Sequence, residues 1–443
     1  MKATKTVRAV AIAASSAFVA ASLFSLATTG ADAATRSTVT IMETTAMTSL
    51  NQSTSTTNLV TNGDISYLTS AGFTYYDNKP ALVRNTNFGT FKIVKNLSND
   101  FEVQYTVKPG QVWSDGTPID GVDLLLSHIT ASSAYSKAAG LGTPGSDAGS
   151  LFDSVNYSGP YDNHVVGIPT ISKDHMSVTI KYDSFQPDWQ IMGPGPSPVH
   201  ALEELVDGKT ALGTPAQNLA AKAQFLKDFV AGSKGANARL QKMGPIWTTA
   251  YNVLNINSST NPLLLVSNGA FKVASAVANQ SVTLVRNAKY TSGPAMAKTN
   301  PINKIVFSFI ADGAPAIQAL ANGDIDIYAG QPDASGVAQL KAISTANTYG
   351  GLSLTYEHVD LRTGDGQGQS DHYTGPFAAA DGQKAKDLRT AFLLALPRDA
   401  IVALELTPYA PKAKRMDSLL LFPGQPGYST VTKASGVSKY TTG

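Results

Sequence analysis

The chain has 443 residues, 43% of them hydrophobic and only 15% charged, with a formal net charge of +2. That length exceeds one ordinary core and suffices for two or three, and a near-neutral chain with no Lys/Arg cluster excludes nucleic acid as a partner. The absence of cysteine excludes disulfides, thiolate metal sites, cysteine nucleophiles and lipid attachment to an N-terminal cysteine.

Residues 1–33 read as a targeting segment. Lys2, Lys5 and Arg8 form a basic start, and Ala9 to Ala27 is apolar and small, carrying Ile12, Phe18, Val19, Leu23, Phe24 and Leu26. Ala31-Asp32-Ala33 then supplies the small residues a signal peptidase reads, so cleavage after Ala33 is expected, with Ala34 as the mature terminus. The alternative is an uncleaved membrane anchor, because the apolar run nearly reaches spanning length. Under either reading the rest of the chain lies outside the cytoplasm.

Val39-Thr40-Ile41-Met42 has strand character, and the Thr-, Ser- and Asn-rich stretch from Thr44 to Thr61 reads as a solvated loop. Residues 101–107 alternate apolar and polar without a break, which predicts a half-buried strand. Pro109-Gly110 and Ser114-Asp115-Gly116 are turns. A helix is expected from Gly121, capped by Asp120, with Asp123 near its positive end and Leu124, Leu125 and Ile129 on its buried face. Residues 131–170 look loop-heavy, and 176–180 alternate as another strand. Residues 216–242 read as helical, with Leu219, Phe225, Leu226, Phe229 and Val230 on one side. Phe271-Lys272-Val273 and Val282-Thr283-Leu284-Val285 form a hairpin-like pair. Residues 302–327 read as strand, helix and strand: Ile305, Phe307 and Phe309 share a face, Asp312 opens the helix, Asn322-Gly323 ends it, and Ile325-Asp326-Ile327 follows, in parallel pairing. Leu388, Ala391, Phe392, Ala395 and Leu396 keep helical spacing up to Pro397.

Five stretches, in this order, resemble the family 5 solute-binding proteins, the oligopeptide- and dipeptide-binding type of bacterial ABC importers. They are Tyr105 to Pro118 with Asp123; Pro198-Val199-His200; Asn268 to Val273 with Leu284 to Tyr290; Ile302 to Ile327; and Leu388 to Arg398. The first carries the family's Gly-x-x-aromatic-Ser-Asp-Gly-x-Pro pattern as Gly110-Gln111-Val112-Trp113-Ser114-Asp115-Gly116-Thr117-Pro118. Each stretch alone is weak; collinear over almost the whole mature chain, they are strong. Asn268 and Ala270 depart from the family's Gly-Thr-Gly-Pro-Tyr, and Pro397 stands where an acidic residue is usual. Family chains typically continue well past the last matched helix.

The resemblance implies an α/β, two-lobed periplasmic-binding-protein-like fold with a hinge and an extra subdomain on the first lobe. It places lobe I at 34–66 and 170–297, the subdomain at 67–169 and lobe II at 298–443, with the second lobe expected to be incomplete at the C-terminus. It implies an extracytoplasmic monomer that captures peptides between its lobes and delivers them to an ABC transporter permease, without catalysis, cofactor or metal. It also points to cleft-wall residues: Thr44, Thr45 and Ala46 after the first strand, Trp247 and Tyr251, and His358, Asp360 and Arg362 on a second-lobe strand spanning 357–362. For Trp247 a core position is the competing reading, and for Asp360 and Arg362 a solvated ion pair.

Enzyme signatures fail on inspection. Gly208-Lys209-Thr210 lacks the first glycine of a phosphate loop, since Glu203 stands there. Gly364-Asp365-Gly366-Gln367-Gly368 follows no clear strand. No nucleophile elbow or His-Glu-x-x-His occurs, and the six histidines are scattered. Two other classes remain open: a secreted hydrolase with a site assembled from distant residues, and an extracellular sensor or binding protein that reuses the same fold.

Overall fold

The computed structural model describes residues 37–440 except 78–81, 147, 332, 349–357, 365–371, 408–409, 419–420, 422 and 424–426. The targeting segment and its cleavage point lie outside the described residues, as do Glu357 and most of the 364–368 loop. In chain order the strands are β1 (Thr38–Glu43), β2 (Thr74–Tyr76), β3 (Leu82–Arg84), β4 (Gly89–Leu97), β5 (Asp100–Val107), β6 (Thr170–Ile171), β7 (Ser177–Tyr182), β8 (Phe271–Val277), β9 (Ser281–Arg286), β10 (Lys304–Phe309) and β11 (Ile327–Tyr328). The helices of two turns or more are α1 (Val60–Thr69), α2 (Val199–Val206), α3 (Pro215–Gly232), α4 (Ala238–Thr249), α5 (Gly313–Asn322), α6 (Ala334–Ala342), α7 (Gly382–Ala395) and α8 (Tyr428–Ser435).

Two sheets organise the molecule. The first runs β11-β1-β10-β9-β8, with β1 parallel to both its neighbours and β9 antiparallel to β10 and β8. Its register stacks apolar rows across the strands: Ile41, Phe307, Val282 and Ala276 form one row, and Ile305, Leu284 and Val273 the next. These rows, with Ile65 of α1, make one core cluster. Each fully buried side chain of that size contributes about 1.5–3 kcal/mol. Met42 points to the opposite face and packs with Ala316 and Ile325. The second sheet, β4-β5-β7-β6, is antiparallel. In β5, Phe101, Val103, Tyr105 and Val107 are fully buried, opposite Tyr182, Ile180 and Val178 of β7. This sheet and α2 to α4 enclose the largest core cluster.

The alternating strand at 101–107, the hairpin at 271–285, and the helix capped by Asp312 and closed by Gly323 at φ +78° all form as their residues dictate. Other expectations give way. The 216–242 helix is two helices, α3 and α4, because Ser233 to Asn237 break it and Asn237 caps α4 by accepting from the N–H groups of Arg239 and Leu240. Its buried face is also rotated. Leu219 and Val230 are exposed, whereas Asn218 and Lys222 are buried beside Phe225 and Phe229, because buried carboxylates wait for them there. β11 does pair in parallel, but with β1 rather than β10, so β1 lies between the strands that α5 connects. The sheets also cross the expected lobe limits. The subdomain's sheet takes in β6 and β7 up to Tyr182, and the first sheet takes in β10 and β11 up to Tyr328. Hydropathy marks these segments as strands but does not say which sheet they join.

The Thr44–Thr61 stretch is not a solvated loop. Ser49, Thr54, Thr57 and Thr61 are buried, and Asn62 of α1 ties the stretch together. The Asn62 side-chain oxygen accepts from the N–H of Thr48 (3.0 Å) and of Ser49 (3.4 Å), and its amide donates to Thr48 Oγ1 and to the Thr57 carbonyl, both at 2.8 Å. Thr54 and Thr57 add a hydroxyl pair at 2.6 Å. After Tyr328 the described residues carry helices and irregular chain but no strand. There α7 ends at Leu396-Pro397 and packs Phe392 against Phe377.

Candidate functional site

The residues that carry the family pattern are bound into a buried polar network. Asp115 accepts at Oδ2 from His200 Nε2 (2.9 Å) and Asn218 Nδ2 (3.1 Å), and at Oδ1 from the Thr117 N–H (2.9 Å). Burial works to raise the Asp115 carboxyl, but the hydrogen bonds from His200 and Thr117 outweigh it and hold the group below its usual range. Asn218 Nδ2 also donates to Thr117 Oγ1 at 2.7 Å. Lys222 Nζ donates to the Pro118 carbonyl (2.9 Å) and pairs with Asp120 (2.9 Å) and Asp123 (2.8 Å). Asp120 and Asp123 complete a capping box at the helix start. Gly116 sits at φ +100°, where a Cβ would meet Lys289 Nζ at 2.6 Å. Lys289 donates to the Asp115 carbonyl instead. These groups hold a loop in one shape, with the side chains of Asp115, Asp123, His200 and Lys222 buried against partners, so they are architectural. The departures are architectural as well: Asn268 makes two bonds to the Ala71 backbone, accepting at 3.0 Å and donating at 2.9 Å.

A different region has the character of a ligand site. β1, β10 and β11 run parallel, and ligands of open α/β sheets sit outside the carboxyl ends of such strands. The carboxyl end of β1 leads into Thr44 and Thr45, which are exposed, and Ala46, which is half-buried. The Thr45 hydroxyl meets Thr61 Oγ1 at 2.7 Å, and Thr61 Oγ1 also reaches the Thr45 carbonyl at 3.0 Å. Trp247 and Tyr251 are joined to the same segment from behind: Asn51 Nδ2 donates to the Trp247 carbonyl (2.8 Å) and Leu50 N–H to that of Tyr251 (3.0 Å). Trp247 itself is a core residue, 8% exposed and packed against Phe152. Tyr251 is half-buried, and burial pushes its hydroxyl up to about 12.

The expected strand at 357–362 does not form over its described residues, which are irregular and exposed or half-exposed. His358 Nε2 pairs with Asp360 at 3.1 Å, and Arg362 lies over the Tyr373 ring at 4.9 Å with its Nε bonded to the Gly364 carbonyl at 3.4 Å. These recorded partners are local to the segment, whereas Tyr251 is tied through the Leu50 N–H to the chain that follows Thr44–Ala46.

Sequence reasoning missed Glu43 and Asp64. Glu43 continues the Val39–Ile41 face of β1, and a carboxylate on a burying face is the signal that marks it. It is 6% exposed. Burial first, and then the Asp64 charge and a hydrogen bond with it, push the Glu43 carboxyl up to about 7. Burial raises Asp64 too, against the pull of that hydrogen bond. Because the folded value lies above the unfolded 4.5, the stability from protonated Glu43 is complete below pH 4.5 and is lost as pH rises through about 7. Glu43→Gln is therefore expected to flatten the fall in melting temperature between pH 5 and pH 8, read by calorimetry. An unchanged slope would assign the effect to Glu203, which burial also pushes to about 7 against the pull of Arg239.

Among the described residues, no group of three or more His, Cys, Asp or Glu could hold a metal ion, and no helix is long and apolar enough to cross a membrane. No curated protein matches the sequence. Solved structures share its fold, among them the following two. A periplasmic EDTA-binding protein, EppA, superposes with a TM-score of 0.57 at 19% identity, over 92% of this chain and 61% of that one. An oligopeptide binding protein from Thermus thermophilus superposes with a TM-score of 0.53 at 16% identity, over 90% of this chain and 63% of that one. The chain thus spans less than two thirds of the length of either, within the same two-lobed α/β architecture. The family model described as bacterial extracellular solute-binding proteins, family 5 Middle, matches residues 93–438. That range includes the Asp115–His200–Lys222 network, the strands from β5 to β11 and the helices from α2 through α8, and on it the chain belongs to family 5 of the bacterial extracellular solute-binding proteins.

Proposed function

We propose that this chain is the extracytoplasmic substrate-binding component of an ABC importer, that it closes on a peptide and hands it to a membrane permease, and that it does so as a monomer without turnover. The observation that carries the reading is the family match over 93–438. The Thermus thermophilus relative is complexed with a pentapeptide and the EppA relative is named for EDTA. The wall favours peptide. A chelator with several carboxylates needs converging cations, whereas Thr44, Thr45 and the adjoining backbone offer neutral donors and acceptors. Peptide N–H and C=O groups suit such a surface whatever their side chains, at about 0.5–1.5 kcal/mol net per bond.

In this reading Thr44, Thr45, Ala46 and Tyr251 form the first-lobe wall, Trp247 backs it, and His358, Asp360 and Arg362 approach from the second lobe. The first lobe then comprises both sides of the β11-β1-β10-β9-β8 sheet, and residues 1–33 are removed on export. Calorimetric titration with mixed pentapeptides, EDTA and sugars tests it. Peptide at a hundredfold excess over its Kd is expected to add about 2.7 kcal/mol to the native state, with the peptide recovered intact by mass spectrometry. Loss of peptide would favour the hydrolase reading, and EDTA binding without peptide binding would replace the ligand class.

A further inference from the structure

A cavity of about 230 Å³ lies where the two large core clusters meet. Trp113 and Trp247 of the first cluster and Ile65 and Val273 of the second line it. These four are buried. Of the other lining residues, Ser70 is exposed, and Ser66, Thr69, Leu264 and Tyr251 are half-buried. The floor is therefore interior and the mouth is wet.

Helix α1 relates this cavity to the wall after β1. Thr61, Ile65 and Thr69 stand at four-residue intervals and share one face of the helix. Thr61 meets the Thr45 hydroxyl at 2.7 Å, and Ile65 and Thr69 line the cavity. Ser66, at the mouth, follows Thr61 by about 7–8 Å of helix rise. An extended peptide advances about 3.3–3.6 Å per residue. A peptide that meets Thr45 and runs along α1 therefore brings the residue about two positions further on to the mouth. Tyr251, assigned to the same wall, is itself part of the lining.

Chemistry and volume narrow what can enter. No lining residue carries a charge. Several polar ones are turned to the protein's own backbone. Asn268 is bonded to Ala71, Asn51 to the Trp247 carbonyl, the Thr69 hydroxyl to the Ile65 carbonyl and the Ser70 hydroxyl to the Ser66 carbonyl. A charged side chain would lose its water there without gaining a counter-charge. An apolar one releases water from the mouth and covers the aliphatic and ring surface of the floor. A cavity of about 150 Å³ with apolar walls holds benzene, so this one has room for a phenyl ring. We infer that the cavity is the specificity pocket of the proposed peptide site, and that it selects peptides carrying a bulky, neutral, apolar side chain of phenylalanine size. The inference rests on the peptide reading given above.

The probes are penta-alanine and the five pentapeptides that carry one phenylalanine in the same alanine frame, titrated into the full chain by calorimetry. Phenylalanine at one position is expected to bind about tenfold or more tightly than alanine there, the scale of burying a large apolar side chain. Aspartate at that position should bind no better than alanine. Two of the three tryptophans, Trp113 and Trp247, line the cavity, so the favoured peptide should shift tryptophan emission more than penta-alanine does. Ser66→Phe fills the mouth from α1 and should bring the favoured peptide down to the penta-alanine level. Leu264→Trp fills it from a second segment and keeps the measurement decisive if the first variant does not fold. Penta-alanine binding with no preference for phenylalanine at any position would overturn the pocket and leave the peptide reading standing. A phenylalanine preference that survives either filling substitution in a folded variant would also overturn the pocket. Binding of none of the peptides would overturn the peptide reading and the pocket together.

Discussion

Replacing Lys222 by methionine is expected to destabilise the protein by about 3–5 kcal/mol. The ammonium is buried, with 4% of its side chain exposed, and it holds Asp123, which is fully buried, together with Asp120 and the Pro118 carbonyl. Burial already pushes the Asp123 carboxyl up against the pull of Lys222. Without the lysine, a carboxylate is left in the interior with only the Asp120 N–H at 3.0 Å to satisfy it. The three tryptophans, Trp113, Trp189 and Trp247, all pack in or against the surrounding core cluster, so their fluorescence reports its unfolding by urea. The double variant Lys222→Met with Asp123→Asn should recover much of the loss, since removing both charges removes the orphan. A single variant within about 1 kcal/mol of wild type would mean the pair is not buried in solution.

Asn62→Ala should cost about 2–3 kcal/mol, because it removes a four-bond hub and leaves the Ser49 N–H and Thr57 carbonyl unmet in the interior. The effect should be local. Hydrogen exchange is expected to accelerate across 48–57 while β5 keeps its protection, and peptide affinity should fall with it, because Thr61, next to Asn62, fixes Thr45. Asn62→Asp retains the two accepting bonds and loses the two donating ones, so it should fall between. Unchanged exchange across 48–57 would show that the hydroxyl pairs hold the segment without Asn62.

Much of the fold was legible because its signals are local. The alternation in β5, the Asp312 cap with Gly323 after it, and the stop at Pro397 each depend on neighbours within a few residues. What stayed hidden depends on distant partners. Nothing local marks Asn218 and Lys222 as buried until Asp115 and Asp123, about a hundred positions earlier, are placed against them. The Thr44–Thr61 stretch reads as low complexity, yet its short hydroxyls are what let the chain bond to itself in a tight space, with Asn62 just outside the stretch as the hub. Of the candidate wall residues, those after β1 were placed by the strand that precedes them. Trp247 kept two readings because a large aromatic suits a core as well as a wall. The sheet that β10 joins stayed hidden for a related reason, since strand character there carries no information on its partners.

The place of β1 in its sheet also sets a timetable. Thr38–Glu43 lies between β10 and β11, and its Thr40 N–H donates at 2.8 Å to Asp326, which follows 286 residues later. Translation at about 5–20 residues per second separates the two by roughly 15–60 s. For that interval the amino-terminal strand has neither of its neighbours, and closing so long a loop makes the sheet a late and slow event. A bare strand in a crowded compartment is a template for pairing with other copies. This one is six residues long, alternates threonine with its apolar side chains, and ends in a carboxylate. Those features suit a segment that must wait alone without polymerising, and they make the arrival of residue 328 the moment at which the first sheet can close.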